Sequence, residues 1–423
     1  MPLPEPFDYA VPDDLDVVEG SYVAAPLGKY ERLGIVVEML GDEAAEGRTL
    51  KVVSEVYPTP PMTRAMRDFL AFAARYTVSH PGHLLSMALR ARAGLLPSPT
   101  ETVFTATGKT PPRMTDARAK VLDVMEAADA PMTAAQIAEA AGVSSGVVRG
   151  LAEADALQAI DVPTDPPFPP VNPDLTGATL TAEQAEAAEE LRVAVRENTF
   201  HTFLIDGVTG SGKTEVYFEA IAQALKADPE AQVLVLLPEI ALTQAILSRF
   251  TARFGAPPAP WHSSLSDKER RRTWRETAHG RARIVIGARS ALFLPFQKLK
   301  LIIVDEEHDG SFKQEDGVTY HARDMSVMRG KLEEAVVVLA SATPALETIV
   351  NAEMGRYTRL KLSARPGSAR LPDVELVDLR SDPPGKGMWL SSRLVHEMRV
   401  TLEAGEQTLL FLNRRGYAPL VIC

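Results

Sequence analysis

Gly207-Val208-Thr209-Gly210-Ser211-Gly212-Lys213-Thr214 is a glycine-rich octet that ends in a lysine and a hydroxyl. Glycines at these positions let backbone N–H groups close around an anion, Lys213 reaches the β and γ oxygens of a triphosphate, and Thr214 offers its hydroxyl to magnesium. A second cluster, Asp305-Glu306-Glu307-His308, supplies the carboxylates that phosphoryl transfer needs. Asp305 is expected to hold magnesium through water and Glu306 to orient and deprotonate the attacking water, with His308 completing the catalytic set. Ser341-Ala342-Thr343 presents hydroxyls suited to sensing the γ-phosphate, and Gln184 reads equally as a contact to an adenine edge or as part of a plain capped helix. The chemistry is that of ATP with Mg2+.

These residues need a scaffold that brings distant stretches together. Phe203-Leu204-Ile205 runs as an apolar strand into the phosphate loop, Leu301-Ile302-Ile303-Val304 into the acidic box, and residues 336–339 into Ser341. From Leu180 onward such strands alternate with helical segments, the first of which is capped by Thr181. That alternation predicts an α/β lobe with a mostly parallel sheet covered on both faces. Three loops after strands are candidates for contact with a nucleic-acid strand: Pro238 to Thr243, Trp261 to Ser266, and Gly287 to Phe293 with Arg289. The segment from Ser311 to Asp324 adds Phe312, Lys313, Tyr320, His321 and Arg323, suited to stacking bases and reporting to the nucleotide. Lys268, Arg270, Arg271, Arg272 and Arg275 share a basic helix, read equally as a solvated face or a phosphate contact.

Upstream, residues 7–56 alternate short apolar runs with Gly, Pro and acidic turns, as in a small β-rich module. Helices are predicted over 65–76 and 83–91. Residues 116–157 form a helix-turn-helix pattern of winged-helix type, with Thr133 capping a helix over 134–141, Gly142 in the turn and Ser144 capping the next. Arg149 is the only basic residue between Met132 and Leu157, so a helical spacer is favoured over a direct DNA reader. Five prolines between 163 and 170 read as a stiff linker.

The 423 residues exceed what one core organises, so several domains are expected. A net charge of −11 means that any phosphate-binding surface must be a local patch. The single cysteine, Cys423, excludes an intramolecular disulfide framework and fits a reducing cytoplasm; neither a signal peptide nor a membrane span is expected.

Taken together, the residues 206–217, 289–293, 305–309, 320–324 and 411–417 resemble the PriA family of replication-restart helicases, within superfamily 2. The likeness runs along essentially the whole chain. It implies a β-rich 3′-DNA-binding domain over 1–100, a winged-helix domain over 101–162, a linker over 163–179, a RecA-like ATP-binding lobe over 180–375, and the start of a second lobe over 376–423. It also implies that Phe7, Asp8, Tyr9, Gly28 and Lys51 grip the free 3′ end of a leading strand, with Asp8 accepting the terminal hydroxyl. Forked and single-stranded DNA, single-strand-binding protein and other primosome proteins are the implied partners, and the implied activity is 3′-to-5′ unwinding at stalled forks in a bacterial cytoplasm. Cys423 matches the first ligand of the family's zinc module, so Zn2+ is expected only in a full-length family protein. On that reading the second lobe is cut short, and the chain is expected to bind ATP and DNA but to unwind poorly. Two departures stand out: that ending, and Gln244-Ala245 where the family carries Pro-Gln. A non-enzymatic fork-binding and primosome-loading module regulated by nucleotide is the other reading. A P-loop ATPase that ignores DNA is a third, disfavoured by the Arg289 and Ser341 motifs.

Overall fold

The computed structural model describes residues 6–41, 49–239, 243–363, 373–385 and 387–411. Residues 240–242 of the Pro238 loop, the 412–417 stretch and Cys423 lie outside the described residues. The chain divides into two units, Met1–Pro366 and Gly367–Cys423; within the second, the helix Ser392–Glu403 is capped by Ser391.

In the first unit, β1 (Tyr9–Ala10), β2 (Tyr22–Leu27), β3 (Tyr30–Ile35), β4 (Lys51–Val52) and β5 (Glu55–Val56) form the N-terminal module. The central strand β2 pairs antiparallel with β3 and β5, while β1 pairs parallel with β4. Then α1 (Arg64–Tyr76) begins at Thr63, whose hydroxyl accepts from Met66 N, and buries Met66, Phe69, Leu70 and Ala73 at helical spacing. Next comes α2 (Pro81–Ala88), whose start is set by Pro81 in the first turn, where no N–H is missed. It begins two residues before the sequence-based expectation.

A winged-helix arrangement follows: β6 (Thr100–Ala106), α3 (Asp116–Ala127), β7 (Met132–Thr133), α4 (Ala134–Ala141), α5 (Ser145–Glu153) and β8 (Leu157–Pro163). Thr133 and Gln136 cap α4 reciprocally, and Gly142 takes the left-handed conformation that ends it, φ +63°. Ser144 stands at the head of α5 but makes no side-chain cap. Phe104, Val121, Ile137, Val148 and Leu151 are the buried core of this domain.

From α6 (Ala182–Glu197) the chain builds one sheet of seven parallel strands: β9 (His201–Gly207), β10 (Gln232–Leu236), β11 (Ala259–Trp261), β12 (Ile284–Gly287), β13 (Leu299–Asp305), β16 (Val336–Ser341) and β17 (Thr358–Leu362). Their order is β11-β12-β10-β13-β16-β9-β17. A short hairpin, β14 (Lys313–Gln314) and β15 (Tyr320–His321), stands apart from it. Crossovers are supplied by α7 (Lys213–Ala227), α8 (Gln244–Phe254), α9 (Asp267–Ala278), α10 (Ala322–Glu333) and α11 (Leu346–Glu353). Alternate strand residues divide cleanly. Phe203, Ile205, Val233, Val235, Leu301 and Ile303 face α6, α7 and α8, whereas Leu204, Leu234, Ile302, Val304, Val337 and Leu339 face the other core. A parallel sheet buried on both faces is the outcome that near-continuous apolar strands require.

That second core is shared with the N-terminal module. Tyr22, Met66 and Phe69 pack in it beside Trp274 of α9 and Phe293. Trp274 donates its indole N–H to Ala88 O at 2.7 Å, and its ring meets Tyr22 edge-on at 5.8 Å. The Pro-rich stretch is likewise fastened rather than free. Asp165, fully buried, accepts from Arg271 at 3.2 Å and Arg275 at 2.6 Å, while Arg272 donates to Pro166 O and Pro167 O. These three arginines thus serve the packing of the Pro-rich stretch, Arg275 buried and Arg271 and Arg272 partly exposed, a role that neither reading of the basic helix included. Among the described residues no helix is long and apolar enough to cross a membrane.

Candidate nucleotide site and nucleic-acid face

β9 delivers the chain to Gly207, and α7 starts at Lys213. Between them Gly210 and Gly212 take φ of +80° and +82°, which L side chains rarely adopt. At Gly207 the constraint is proximity: an added Cβ would lie 2.5 Å from Ser211 Oγ. The N-terminal N–H groups of α7 therefore open onto a bare backbone cradle, the arrangement that binds phosphate. Lys213 Nζ donates to Gly207 O at 2.9 Å and is buried, and Ser211 Oγ is buried without a hydrogen-bond partner. Both suit an anion at this position. Thr209 and Gly210 are exposed at the tip of the loop.

The acidic box arrives from β13, two strands away. Asp305 is level with Ala340 of β16, and Ala340 with Ile205 of β9. With strands roughly 4.8 Å apart, β9 and β13 end about 10 Å from each other on the same sheet edge. One side chain spans the gap: Tyr217 OH donates to Asp305 Oδ2 at 2.9 Å. Since Tyr217 lies one helical turn beyond Thr214, it ties the carboxylate to the helix that carries the Thr214 hydroxyl. Asp305 Oδ1 accepts from Glu306 N at 3.0 Å. Burial pushes the Asp305 carboxyl up, and the Tyr217 bond and the Lys213 charge oppose that rise.

Glu306 occupies the left-handed region, φ +50°, a conformation that costs energy for a non-glycine residue and is concentrated at functional sites. It leaves the Glu306 carboxylate half-exposed, with Oε2 3.6 Å from His308 Nδ1. His308 Nδ1 in turn lies 2.7 Å from Ser341 Oγ, so the hydroxyl expected beside the acidic box is there. Glu307 serves differently. Fully buried, it accepts from Ala345 N at 2.7 Å, Thr348 Oγ1 at 2.9 Å and Arg323 at 3.3 Å, and so joins the box to α10 and α11. Sequence reasoning gave no role to Glu307 or Tyr217 and counted Arg323 only within the strand-facing loop, not as a partner of the acidic box; only the helical spacing from Thr214 to Tyr217 hinted at a shared face.

Gln184 Oε1 accepts from Thr181 N at 2.8 Å and its Nε2 donates to Ser211 O at 2.8 Å, beneath the phosphate loop. The capping box that starts α6 engages the amide, which keeps one N–H and a carbonyl lone pair beyond these two bonds.

On the expected nucleic-acid face the two aromatic candidates fail. Phe312 and Tyr320 are 1% and 4% exposed, core residues rather than stacking platforms, with Tyr320 edge-on to Phe293 at 5.2 Å. Apolar burial outweighs base stacking for rings that the sheet can cover. Lys313 remains exposed, paired with Glu315 at 2.9 Å. Arg289 is partly exposed and donates to Ser311 O and Lys313 O, both at 2.8 Å, so it braces this loop. His321 is half-buried at the head of α10, its pKa lowered by burial and by Arg323. Gln244 is the first residue of α8, a position that welcomes proline without requiring it. From the same helix Arg249 donates to Glu215 at 2.6 Å and to Thr214 Oγ1 at 3.4 Å.

In the N-terminal module Tyr9 pairs with Lys51, and Tyr9 OH donates at 3.2 Å to Pro26 O, two residues before the turn at Gly28, φ +64°. Phe7 is exposed just before Asp8 and Tyr9.

Residues 1–90 match the 3′ DNA-binding domain family and residues 181–352 the DEAD/DEAH box helicase family. The replication restart protein PriA of Rickettsia conorii is 33% identical over 419 residues, 99% of this chain and 53% of its own length. That of Haemophilus influenzae is 35% identical, covering 100% of this chain and 59% of its own. The chain belongs to the PriA family. Another PriA, from Bacillus subtilis, is 43% identical over 58% of this chain and 30% of its own length. This PriA-family chain spans little more than half the length of the first two relatives, 53% and 59%. Its helicase-family match encloses every element of the nucleotide site from Thr181 to Thr348, and its other match encloses Phe7, Asp8, Tyr9, Gly28 and Lys51.

Proposed function

We propose that this chain is the nucleotide-binding and fork-binding part of an ATP-dependent 3′-to-5′ DNA helicase that restarts replication. The observation that carries the reading is the Tyr217–Asp305 hydrogen bond, which joins the phosphate-loop helix to the acidic box at one sheet edge. The α7 N–H groups, Lys213 and Ser211 would bind the triphosphate; Thr214 and Asp305 would hold magnesium. No cage of three or more acidic, His or Cys groups occurs among the described residues, and none is needed, since phosphate oxygens and water complete a magnesium shell. Bound magnesium supplies charge neutralisation of the phosphates.

Glu306 accepts the proton of the attacking water at its exposed carboxylate, beside His308 Nδ1. Ser341, bonded to that ring, and Glu307, bonded to α10 and α11, relay the state of the site to the loops at the sheet edge. Phe7, Asp8, Tyr9, Gly28 and Lys51 hold a 3′ DNA end, and Arg289, Lys313 and His321 are the remaining candidates for a single strand. Single-strand-binding protein and other primosome proteins are the proposed partners, in a bacterial cytoplasm. The winged helix is a weaker candidate for contact with DNA, since it carries nine acidic and five basic residues from Thr100 to Pro163.

Binding of a fluorescent ATP analogue and hydrolysis of ATP, each measured with and without forked DNA, test the proposal. Lys213→Ala is expected to abolish both while leaving fork binding intact. Nucleotide binding that is indifferent to Lys213→Ala would overturn it; fork-dependent restart that survives the substitution would favour the non-enzymatic loading module.

A further inference from the structure

Asp305 is held by both of its oxygens, one by the Glu306 N–H at 3.0 Å and the other by Tyr217 OH at 2.9 Å. Only the second of these comes from a side chain, and it comes from the helix that begins with Lys213 and Thr214. Tyr217 is fully buried. Its ring meets that of the neighbouring Phe218 edge-on at 5.5 Å. A carboxylate oxygen has two lone pairs, so one donor on each oxygen leaves a lone pair on each for a metal-bound water. The hydroxyl therefore orients Asp305 without occupying it.

We infer that Tyr217 is a positioning residue for magnesium, locking the distance and rotation of Asp305 relative to Thr214 before the metal arrives. The inference rests on the nucleotide-site reading above. An acidic group free to rotate must be ordered when the ion binds, and an outer-shell partner that has already ordered it removes this cost; loss of such partners typically weakens metal binding 10–100-fold. Arg249, which reaches Thr214 Oγ1, and Glu215, which holds Arg249, flank the other metal-binding group without touching Asp305.

The test is Tyr217→Phe, which deletes one oxygen and keeps the ring packed. Binding of a fluorescent ATP analogue to the full chain is titrated with magnesium, and again in EDTA. The expected result is a magnesium half-saturation concentration raised roughly tenfold, with metal-free binding and the thermal midpoint little changed. Phe218→Leu, a core change that spares the hydroxyl, should leave the magnesium dependence where it was. An unchanged or lowered half-saturation concentration in Tyr217→Phe overturns the inference, the lowered case marking the hydroxyl as a competitor of the metal. If Phe218→Leu shifts magnesium dependence equally, Tyr217 acts through packing alone and the inference again fails. Wild-type chain that binds no analogue at any magnesium concentration defeats instead the nucleotide-site reading on which it rests.

Discussion

Replacing Asp165 by asparagine removes one charge from a site where two arginines converge. The Asp165 side chain is fully buried, and it accepts from Ser98 Oγ at 2.5 Å, Thr164 Oγ1 at 3.0 Å, Arg271 Nε at 3.2 Å and Arg275 Nη2 at 2.6 Å. Asparagine fits the volume, but its amide presents a donor where the arginines also present donors, and Arg275 is left buried with no opposite charge on this side. Removing one partner of a buried pair costs about 3–5 kcal/mol. Because Arg271 keeps some contact with water, the expectation lies at the lower end, about 3 kcal/mol at pH 7.

The pH dependence gives a second reading of the same lock. Burial pushes the Asp165 carboxyl up, but the hydrogen bonds from Arg271, Ser98, Arg275 and Thr164 outweigh it and hold the group well below the usual carboxylate range. A depressed carboxylate contributes its full stabilisation above the unfolded value, near 3.9, and loses it as pH falls toward the folded value. The gap between wild type and Asp165→Asn should therefore be constant from pH 7 to 5 and narrow below about pH 4, by up to roughly 1.4 kcal/mol per unit. Urea unfolding followed by tryptophan fluorescence suits the measurement, since Trp274 lies on the same helix as both arginines. A loss below about 1 kcal/mol at pH 7, or a gap that stays constant to pH 3, would refute the reasoning, the first because the pair then stabilises little.

Gly94→Ala places a methyl 2.7 Å from Trp274 Cε3 and 3.1 Å from Arg271 O. Thermal unfolding should show a destabilisation of about 1–3 kcal/mol, without loss of nucleotide affinity. Phe312→Leu keeps an apolar filler in the core, so stability is expected to fall by less than about 1.5 kcal/mol. Single-strand affinity, read by fluorescence anisotropy, should stay within about twofold because a buried ring offers no stacking face; a tenfold loss would restore the base-stacking role. Glu307→Gln leaves the Arg323 guanidinium without its buried counter-charge and weakens the ties to Ala345 and Thr348. Hydrolysis should lose its response to DNA while nucleotide affinity is retained, and a response equal to wild type would dissociate Glu307 from coupling.

The sequence alone determined which chemistry was on offer. A phosphate loop is a local device: its glycines, lysine and threonine are consecutive, and an apolar strand before it with a helix behind it follows from residues a few positions away. The capping boxes at Thr133 and Thr181, the left-handed Gly142 and the two-faced parallel sheet were legible for the same reason, since each depends on neighbours or on simple alternation. What lay beyond the sequence were partnerships between residues far apart in the chain. Tyr217 with Asp305, Glu307 with Thr348, and the arginines of α9 with Asp165 have no local signature; burial chose them, because a charge or ring carried under the sheet must find whatever complement the other elements bring. Phe312 and Tyr320 were misjudged for the reverse reason. An aromatic ring in a loop reads the same whether it meets a base or the core, and only the packing of the N-terminal module and Phe293 against the motor sheet decided for the core.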